Sequence, residues 1–310
     1  MTVVIAGSTG LVGSALVKAF TEAGHNVVGI NRSVVDLSES AAIKDFLKDL
    51  KPRMVIDAAA RVGGIGANNN FPVEFLTENL AIQANLMAAA HSAKVDRFIF
   101  LGSSCIYPRD CAQPIKEEYL MTGPLETTNS AYAIAKIAGI ELVNSYRKEF
   151  GAKWISLMPT NLYGPNDNFS LKNSHVLPSF IRRFVEAVEK GADSVTLWGT
   201  GSPKREFLHV QDLARAVIVA AESYDSSQHL NIGTGIDLTI RELAGIVASA
   251  AGFAGEILWD STKPDGTPRK VLDVSKVQAL GWKSSITLDD GICTTMAWYK
   301  EASLRGEVRK

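Results

Sequence analysis

The stretch AGSTGLVG, Ala6–Gly13, links an apolar run to a segment in which apolar residues recur with helical spacing. The run before it, TVVIA, predicts a buried strand, and the segment after it, Leu11–Ala23, predicts a helix. Its three glycines permit a tight turn, close approach of the backbone to a pyrophosphate, and close packing of the helix on the strand. A turn with a packing glycine and no ligand is the simpler alternative. The position between strand and helix instead favours a dinucleotide site, because free N–H groups at the helix start attract an anion.

Apolar runs and helical patterns alternate through the first half of the chain. This alternation predicts an α/β fold, with a doubly wound parallel sheet (Rossmann type) and helices on both faces. Ligands then bind outside the carboxyl ends of the strands. The predicted strands are Thr2–Ala6, Asn26–Ile30, Met54–Ala58, Arg97–Leu101 and Trp154–Met158, and the predicted helices are Leu11–Ala23, Val73–His91 and Ala131–Phe150.

The pattern changes after residue 165, where the polar stretch NDNFSLKNSH begins. We expect an NADP-binding Rossmann domain over residues 1–165, to which segments near 206–236 return. A smaller α/β substrate-binding domain is expected mainly within residues 166–310, interleaved with the first. Its predicted elements include a helix near Val176–Lys190, the strand Ser194–Trp198 and a last helix near Leu288–Ala302.

Composition and charge exclude several classes of function. The formal net charge of the 310 residues is −1, which excludes a dominant attraction to nucleic acid or to anionic membranes. No apolar run approaches the roughly 20 residues of a membrane span, and the start of the chain leads straight into a strand rather than a signal peptide. The three cysteines, Cys105, Cys111 and Cys293, match no zinc spacing, so we expect no metal and a reducing, cytoplasmic location.

The residues after the second predicted strand indicate the type of coenzyme. An NAD site usually presents a carboxylate there for the ribose hydroxyls. This chain instead has Asn31, Arg32 and Ser33, and the next carboxylate is Asp36. Arg32 suits a 2′-phosphate, so NADP(H) is favoured over NAD(H). The alternative is that Arg32 is only a solvated surface charge.

Three residues suggest carbonyl chemistry. Tyr132 and Lys136 lie four apart on a predicted helix and therefore on one face of it. A lysine near a phenol stabilises the phenolate, so we expect the pKa of Tyr132 to be lowered. Ser103 follows the fourth predicted strand, at the sheet edge where a carbonyl substrate would lie.

These motifs together resemble the extended short-chain dehydrogenase/reductase family, whose marks are G-x-x-G-x-x-G, a serine at a strand end and Y-x-x-x-K. The resemblance covers essentially the whole chain. Two more specific segments, LGSSCIYP and NSHVLP, are similar to those of members that act on GDP-4-keto-6-deoxy-D-mannose. The resemblance implies an NADPH-dependent enzyme that epimerises C3 and C5 of this nucleotide sugar and then reduces C4.

The resemblance also implies a role for each of five residues. Cys105 is expected to act as the base and His175 as the acid in the epimerisation. Ser103 and Tyr132 are expected to hydrogen-bond the C4 oxygen, and Tyr132, supported by Lys136, to protonate that oxygen during reduction.

Further residues are expected to bind the coenzyme and the GDP group, and a homodimer is implied through helices that include the one carrying Tyr132. Ser8 and Thr9 depart from the pattern, because relatives carry an arginine in this turn. A flexible loop is expected over residues 61–69, RVGGIGANN. The expected coenzyme residues are Gly7, Ser8, Thr9, Gly10, Leu11, Val12, Gly13, Asn31, Arg32, Asp36, Leu37, Leu101, Gly102, Ser104, Lys136, Pro159, Asn161 and Leu162, and the expected substrate residues are Arg183, Trp198, Arg205 and Asp265.

Two other functions stay open at this point. An NAD-retaining nucleotide-sugar epimerase or dehydratase has the same fold, but it needs no pair such as Cys105 and His175. A non-catalytic NADP-sensing protein is the second alternative. The presence of Ser103, Tyr132 and Lys136 disfavours it.

Overall fold

The computed structural model describes residues 1–171, 173–263 and 265–309. Among these residues, no helix is long and apolar enough to cross a membrane. The strands are β1 Thr2–Ala6, β2 Asn26–Ile30, β3 Met54–Asp57, β4 Arg97–Leu101, β5 Ile155–Pro159, β6 Asn161–Tyr163, β7 Ser194–Trp198, β8 Lys204–His209, β9 Leu230–Ile232, β10 Asp237–Thr239, β11 Glu256–Asp260 and β12 Arg269–Lys270. The helices are α1 Leu11–Glu22, α2 Ser40–Leu50, α3 Ile65–Asn70, α4 Pro72–Ser92, α5 Ser130–Phe150, α6 Val176–Glu189, α7 Val210–Ser223, α8 Ile240–Ala251, α9 Ser275–Ala279 and α10 Leu288–Leu304.

The central sheet has six strands in the order β2-β1-β3-β4-β5-β9, and all its neighbouring pairs are parallel. Its inner strands are buried almost throughout, as expected for a sheet covered on both faces. Flanking helices pack as two groups, α1 with α7 and α2 with α4 and α5. The predicted fold class is therefore confirmed. All six strands end at the same edge of the sheet.

The strands predicted for this sheet lie within one residue of the observed bounds, and β5 begins one residue later than expected. The prediction of a flexible loop over residues 61–69 is wrong for the second half of this segment, where α3 forms. The Asn68 side chain explains this helix, because its amide donates hydrogen bonds to the carbonyls of Gly63 at 2.8 Å and Gly64 at 3.1 Å. Helix α2 was absent from the predicted elements.

The second half of the chain contributes to both hydrophobic clusters. Strand β9 joins the central sheet and α7 packs on α1, so both belong to the first cluster. The second cluster lies among α6, α8 and α10. Strand β8 pairs with β6, β10 and β12, while β7 pairs with β11. We propose that the two clusters are the cores of the two interleaved domains expected from the sequence.

The glycine turn fixes how α1 sits on β1. A Cβ atom at Gly13 would lie 2.0 Å from the carbonyl oxygen of Gly7, so no other residue fits at this crossing without a backbone shift. Gly7 itself has φ of +74°, in the left-handed region that favours glycine. The turn and the first turn of the helix are thus packed as one unit.

We expect Gly13→Ala to lower the free energy of unfolding by about 2 kcal/mol, because the added methyl group overpacks a backbone contact. Chemical denaturation measures this change. Gly245→Ala is the control, since this exposed position in α8 has nothing within 4 Å of an added Cβ. The free energy of unfolding of that variant should rise by about 0.5–1 kcal/mol, because alanine has a higher helix propensity than glycine. Equal stabilities of Gly13→Ala and wild type would contradict the packing.

Candidate active site

A cavity of about 1560 Å³ lies at the carboxyl edge of the central sheet and extends to β7, β8 and β12. Two residues expected at the site do not line it. Ser8 donates its N–H to the Ile30 carbonyl at 3.1 Å, and Gly13 packs beneath Gly7. The expected residues that line the cavity are Gly7, Thr9, Gly10, Leu11, Val12, Asn31, Arg32, Asp36, Leu37, Leu101, Gly102, Ser103, Ser104, Cys105, Tyr132, Lys136, Pro159, Asn161, Leu162, His175, Arg183, Trp198, Arg205 and Asp265.

One end of the cavity has the features of an anion site. Gly10 is the N-cap of α1 and, lacking a side chain, makes no side-chain capping bond. The first N–H groups of the helix have no partner within the helix, so they can bind a phosphate oxygen, which the helix dipole also attracts. This end of the cavity fits the pyrophosphate of a dinucleotide.

Charged side chains gather beside this end, after β2 and β3. Arg32 donates to Glu78 at 3.3 Å, and the same carboxylate accepts a 2.6 Å bond from Arg61. The sequence interpretation missed Arg61 and Glu78, which lie on a loop and on α4. The carboxylate of Asp36 accepts hydrogen bonds from the backbone N–H and the hydroxyl of Ser38. These bonds lower the pKa of the Asp36 carboxyl. The guanidinium groups of Arg32 and Arg61 therefore share the carboxylate of Glu78, at the position where a 2′-phosphate would bind.

Lys136 is buried below the middle of the cavity. Its ammonium donates to the carbonyl of Leu101 at 3.0 Å and lies 5.9 Å from the centre of the Tyr132 ring. Burial lowers the pKa of this lysine, and the nearby carboxylate of Asp57 opposes the shift. Lys136 is thus held at the end of β4 by a backbone contact.

Tyr132 does not have the lowered pKa expected from the sequence. Desolvation raises the pKa of the phenol, Cys105 and Asp57 raise it further, and a hydrogen bond with Ser103 only partly opposes them. The expectation was wrong because burial outweighs the lysine, which bonds to a carbonyl rather than to the phenol oxygen. Tyr132 is therefore protonated at neutral pH and suited to donate a proton.

Cys105 lies in the short 3₁₀ turn Ser104–Ile106 that follows β4. Its sulfur accepts hydrogen bonds from Asn129 Nδ2 at 3.4 Å and Lys270 Nζ at 3.5 Å. Desolvation acts to raise the pKa of the thiol, but Lys270, a hydrogen bond with Ser103 and the charge of Arg205 outweigh it, so the pKa is lowered. The sequence interpretation missed Asn129 and Lys270.

His175 is the N-cap of α6 and makes no side-chain capping bond. Its side chain lines the cavity and is exposed to it. Desolvation, together with the ammonium of Lys270, lowers the pKa of His175. Lys270 therefore favours an anionic Cys105 and a neutral His175 at the same time.

The far end of the cavity contains an exposed aromatic ring and a loop carboxylate. Trp198 is 59% exposed, and the ammonium of Lys263 lies 5.8 Å from the centre of its ring. Asp265 accepts bonds from the backbone N–H and the hydroxyl of Thr200, both at 2.8 Å. The ring of Trp198 is thus accessible for stacking on a ligand. The carboxylate of Asp265, in contrast, already has hydrogen-bond partners in Thr200.

Arg183 and Arg205 add positive charge to the cavity wall. Arg183 on α6 contacts the Ser179 hydroxyl at 3.4 Å, and Arg205 on β8 donates to the carbonyl of Lys204 at 2.8 Å. Neither forms an ion pair with a carboxylate in the described part of the chain. No group of three or more His, Cys, Asp or Glu side chains among the described residues is placed to hold a metal ion.

Comparison with known proteins agrees with this geometry. Residues 3–233 match the model of the NAD dependent epimerase/dehydratase family. The chain belongs to this family. The resemblance to short-chain dehydrogenases/reductases of the extended type is thereby confirmed.

Several members of this family are similar over nearly their full length. GDP-L-fucose synthase 1 of Arabidopsis thaliana is 52% identical over 95% of this chain and 92% of its own. GDP-L-fucose synthase of Escherichia coli (strain K12) is 46% identical over 96% of each chain. The crystal structure of a GDP-L-fucose synthetase from Naegleria fowleri bound to NADP has a TM-score of 0.92 at 27% identity, covering 100% of this chain and 96% of that one.

The lowered pKa of Cys105 predicts that iodoacetamide alkylates it at lower pH than an ordinary thiol. Replacing the ammonium in Lys270→Met should raise this pKa and slow alkylation at pH 7 by about threefold to tenfold, since one pKa unit is a tenfold change in thiolate. Mass spectrometry of the tryptic peptides measures each cysteine separately. The exposed Cys293 is the internal control and should react at the same rate in both proteins. Identical pH profiles for Cys105 in the two proteins would show that Lys270 does not act on the thiol.

Proposed function

We propose that this chain converts GDP-4-keto-6-deoxy-D-mannose to GDP-L-fucose, by epimerisation at C3 and C5 followed by NADPH-dependent reduction at C4. The observation that carries the proposal is the presence of Cys105 and His175 in the same cavity as Ser103, Tyr132 and Lys136. A simple carbonyl reductase needs only the last three. The names of relatives that share about half of the sequence support the same substrate.

In the proposed epimerisation, Cys105 removes the protons next to the substrate ketone. The C4 carbonyl makes the hydrogens on C3 and C5 acidic, because the resulting enolate places negative charge on the oxygen. A thiolate stabilised by Lys270 is available as the base. Ser103 and Tyr132 hydrogen-bond the enolate oxygen and lower the barrier.

His175 donates a different proton to the opposite face of the carbon, which inverts it. Before the second carbon reacts, Cys105 loses its proton to solvent and His175 takes one up. Its lowered pKa leaves the imidazole neutral before the substrate binds. The diphosphate of GDP brings negative charge toward Arg183, Arg205 and Lys270, and this charge raises the pKa of His175. The substrate thus helps to protonate the residue that acts on it.

The proposed reduction uses the same oxygen contacts. NADPH, when bound, supplies the hydride for C4. Tyr132 donates a proton to the C4 oxygen, and its raised pKa keeps that proton in place until charge develops on the oxygen. Lys136, held by the Leu101 carbonyl, compensates the negative charge that forms on Tyr132.

Arg32 and Arg61 are proposed to select NADPH over NADH. They share the carboxylate of Glu78, which orients both toward the end of β2. A 2′-phosphate carries more charge than one carboxylate and can bind both guanidinium groups. Arg32 is the more exposed of the two and is free to reorient.

The other functions of this fold fit fewer of the residues. A nucleotide-sugar epimerase or dehydratase that retains NAD leaves Cys105, His175 and Lys270 without a role. A non-catalytic NADP-sensing protein leaves Tyr132 and Lys136 without one. A cytoplasmic location and a homodimer stay predictions; for the dimer, Ile134 on α5 offers one exposed apolar side chain on the expected interface helix.

The proposal is tested by incubating the protein with GDP-4-keto-6-deoxy-D-mannose and NADPH. We expect NADPH absorbance to fall and GDP-L-fucose to form in equal amount, as measured by chromatography and NMR. NADPH oxidation that yields only the unepimerised C4 alcohol would support a plain reductase. No turnover with this substrate would exclude the proposed function.

Cys105→Ser should reduce the uptake of solvent deuterium at C3 and C5 by at least about 10²-fold, because a hydroxyl is a far weaker base than this thiolate. NMR of the recovered sugar in D₂O measures the exchange. Cys293→Ser, on the surface of α10, is the matched control and should exchange like wild type. Wild-type exchange in the Cys105 variant would remove the thiol from the mechanism.

Tyr132→Phe should slow reduction by about 10²-fold or more, because the C4 oxygen loses its proton donor. Exchange at C3 and C5 should fall less, since Ser103 still contacts the enolate. Single-turnover NADPH oxidation measures the first effect, and deuterium uptake the second. Tyr146→Phe, on the same helix, serves as control. Unchanged hydride transfer in Tyr132→Phe would contradict its assignment.

A further inference from the structure

The chain after α10 returns to the loop that follows β6. The N–H of Phe169 donates to the carbonyl of Arg309 at 2.9 Å, and Asn168 and Arg309 form a parallel bridge. Val308 packs against the second hydrophobic cluster. The backbone position of Arg309 is therefore fixed by contacts with the loop that follows β6.

The same loop is attached to the first turn of α1. Asn166 donates its side-chain amide to the hydroxyl of Ser14 at 3.2 Å. Arg309 consequently lies beside the glycine turn, where a Cβ atom added to Gly10 would stand 3.8 Å from its Nη1. Both Asp167 and Arg309 line the cavity at this point.

Arg309 is exposed, and its guanidinium has no hydrogen-bond or ion-pair partner among the described residues. The glycine turn supplies no cation of its own, because Ser8 and Thr9 occupy the positions between its first two glycines. Arg309 interacts electrostatically with the buried carboxyl of Asp167. One oxygen of that carboxyl accepts the Asn168 N–H at 2.7 Å, and the other has no partner.

Resting on the proposed function, we propose that Arg309 binds the pyrophosphate of the dinucleotide coenzyme, together with the N–H groups at the start of α1. A guanidinium matches two phosphate oxygens in a forked geometry, and the helix N-terminus presents its donors to the same anion. Arg309 thus supplies, from the far end of the described chain, the positive charge that the glycine turn lacks.

Asp167 acts in this arrangement as a partial counter-charge near the guanidinium before coenzyme binds. Burial raises the pKa of this carboxyl to about 7, and Arg309 opposes the shift. A partly protonated carboxyl repels the pyrophosphate less than a full charge would.

The test measures dissociation constants for NADPH and NADH by quenching of protein fluorescence. Arg309→Ala should lower the affinity for both coenzymes by about fivefold, because both contain the pyrophosphate. Arg309→Lys should restore part of this loss of affinity. Arg32→Ala should weaken NADPH much more than NADH, because only NADPH carries the 2′-phosphate. Lys300→Ala removes an exposed charge from α10 and should bind like wild type. Thermal unfolding without coenzyme checks that the variants fold.

The outcomes separate the two proposals. Wild-type affinity of Arg309→Ala for both coenzymes would overturn the role of Arg309 and leave the proposed function intact. A loss confined to NADPH would also overturn it, since that result assigns Arg309 to the 2′-phosphate. If the wild-type chain binds neither coenzyme, the proposed function fails, and the role of Arg309 fails with it.

Discussion

Parallel pairing in the central sheet is the constraint on which the rest of the structure depends. Because all six strands run in one direction, the segments after them emerge at one edge. The glycine turn follows β1, Arg32 follows β2, Arg61 follows β3, and Ser103 follows β4. Residues separated by about a hundred positions therefore share one cavity. Strands β8 and β12 close this cavity from the other side with Arg205 and Lys270.

Desolvation alone would favour the uncharged forms of Cys105, Tyr132 and His175. Desolvation raises the pKa of the thiol and the phenol and lowers the pKa of the imidazole. Of these three groups only Cys105 has the effect reversed, by the ammonium of Lys270 at 3.5 Å from the sulfur together with a hydrogen bond with Ser103 and the charge of Arg205. The ammonium beside the Cys105 sulfur thus comes from β12, whereas Tyr132 lies on α5. The proposed chemistry consequently requires that α5 and β12 be packed around one cavity.

Local patterns in the sequence were sufficient for strands β1 to β5 of the central sheet, the glycine turn and the spacing of Tyr132 and Lys136. Each rests on a run of a few neighbouring residues. The contact between Lys270 and Cys105 spans 165 positions, and no local pattern marks it. Arg309 was missed for the same reason. The pKa of Tyr132 was predicted in the wrong direction because spacing along a helix does not reveal how deeply a phenol is desolvated.

The proposal that one cavity serves both reactions is tested most directly by a crystal structure of the protein with NADP⁺ and GDP-L-fucose. We predict that the C4 oxygen of the sugar lies within hydrogen-bond distance of both Ser103 and Tyr132. Cys105 and His175 should then face opposite sides of the ring, next to C3 and C5. A sugar whose C4 oxygen contacts neither hydroxyl, or whose ring lies beyond the reach of Cys105, would contradict a shared site.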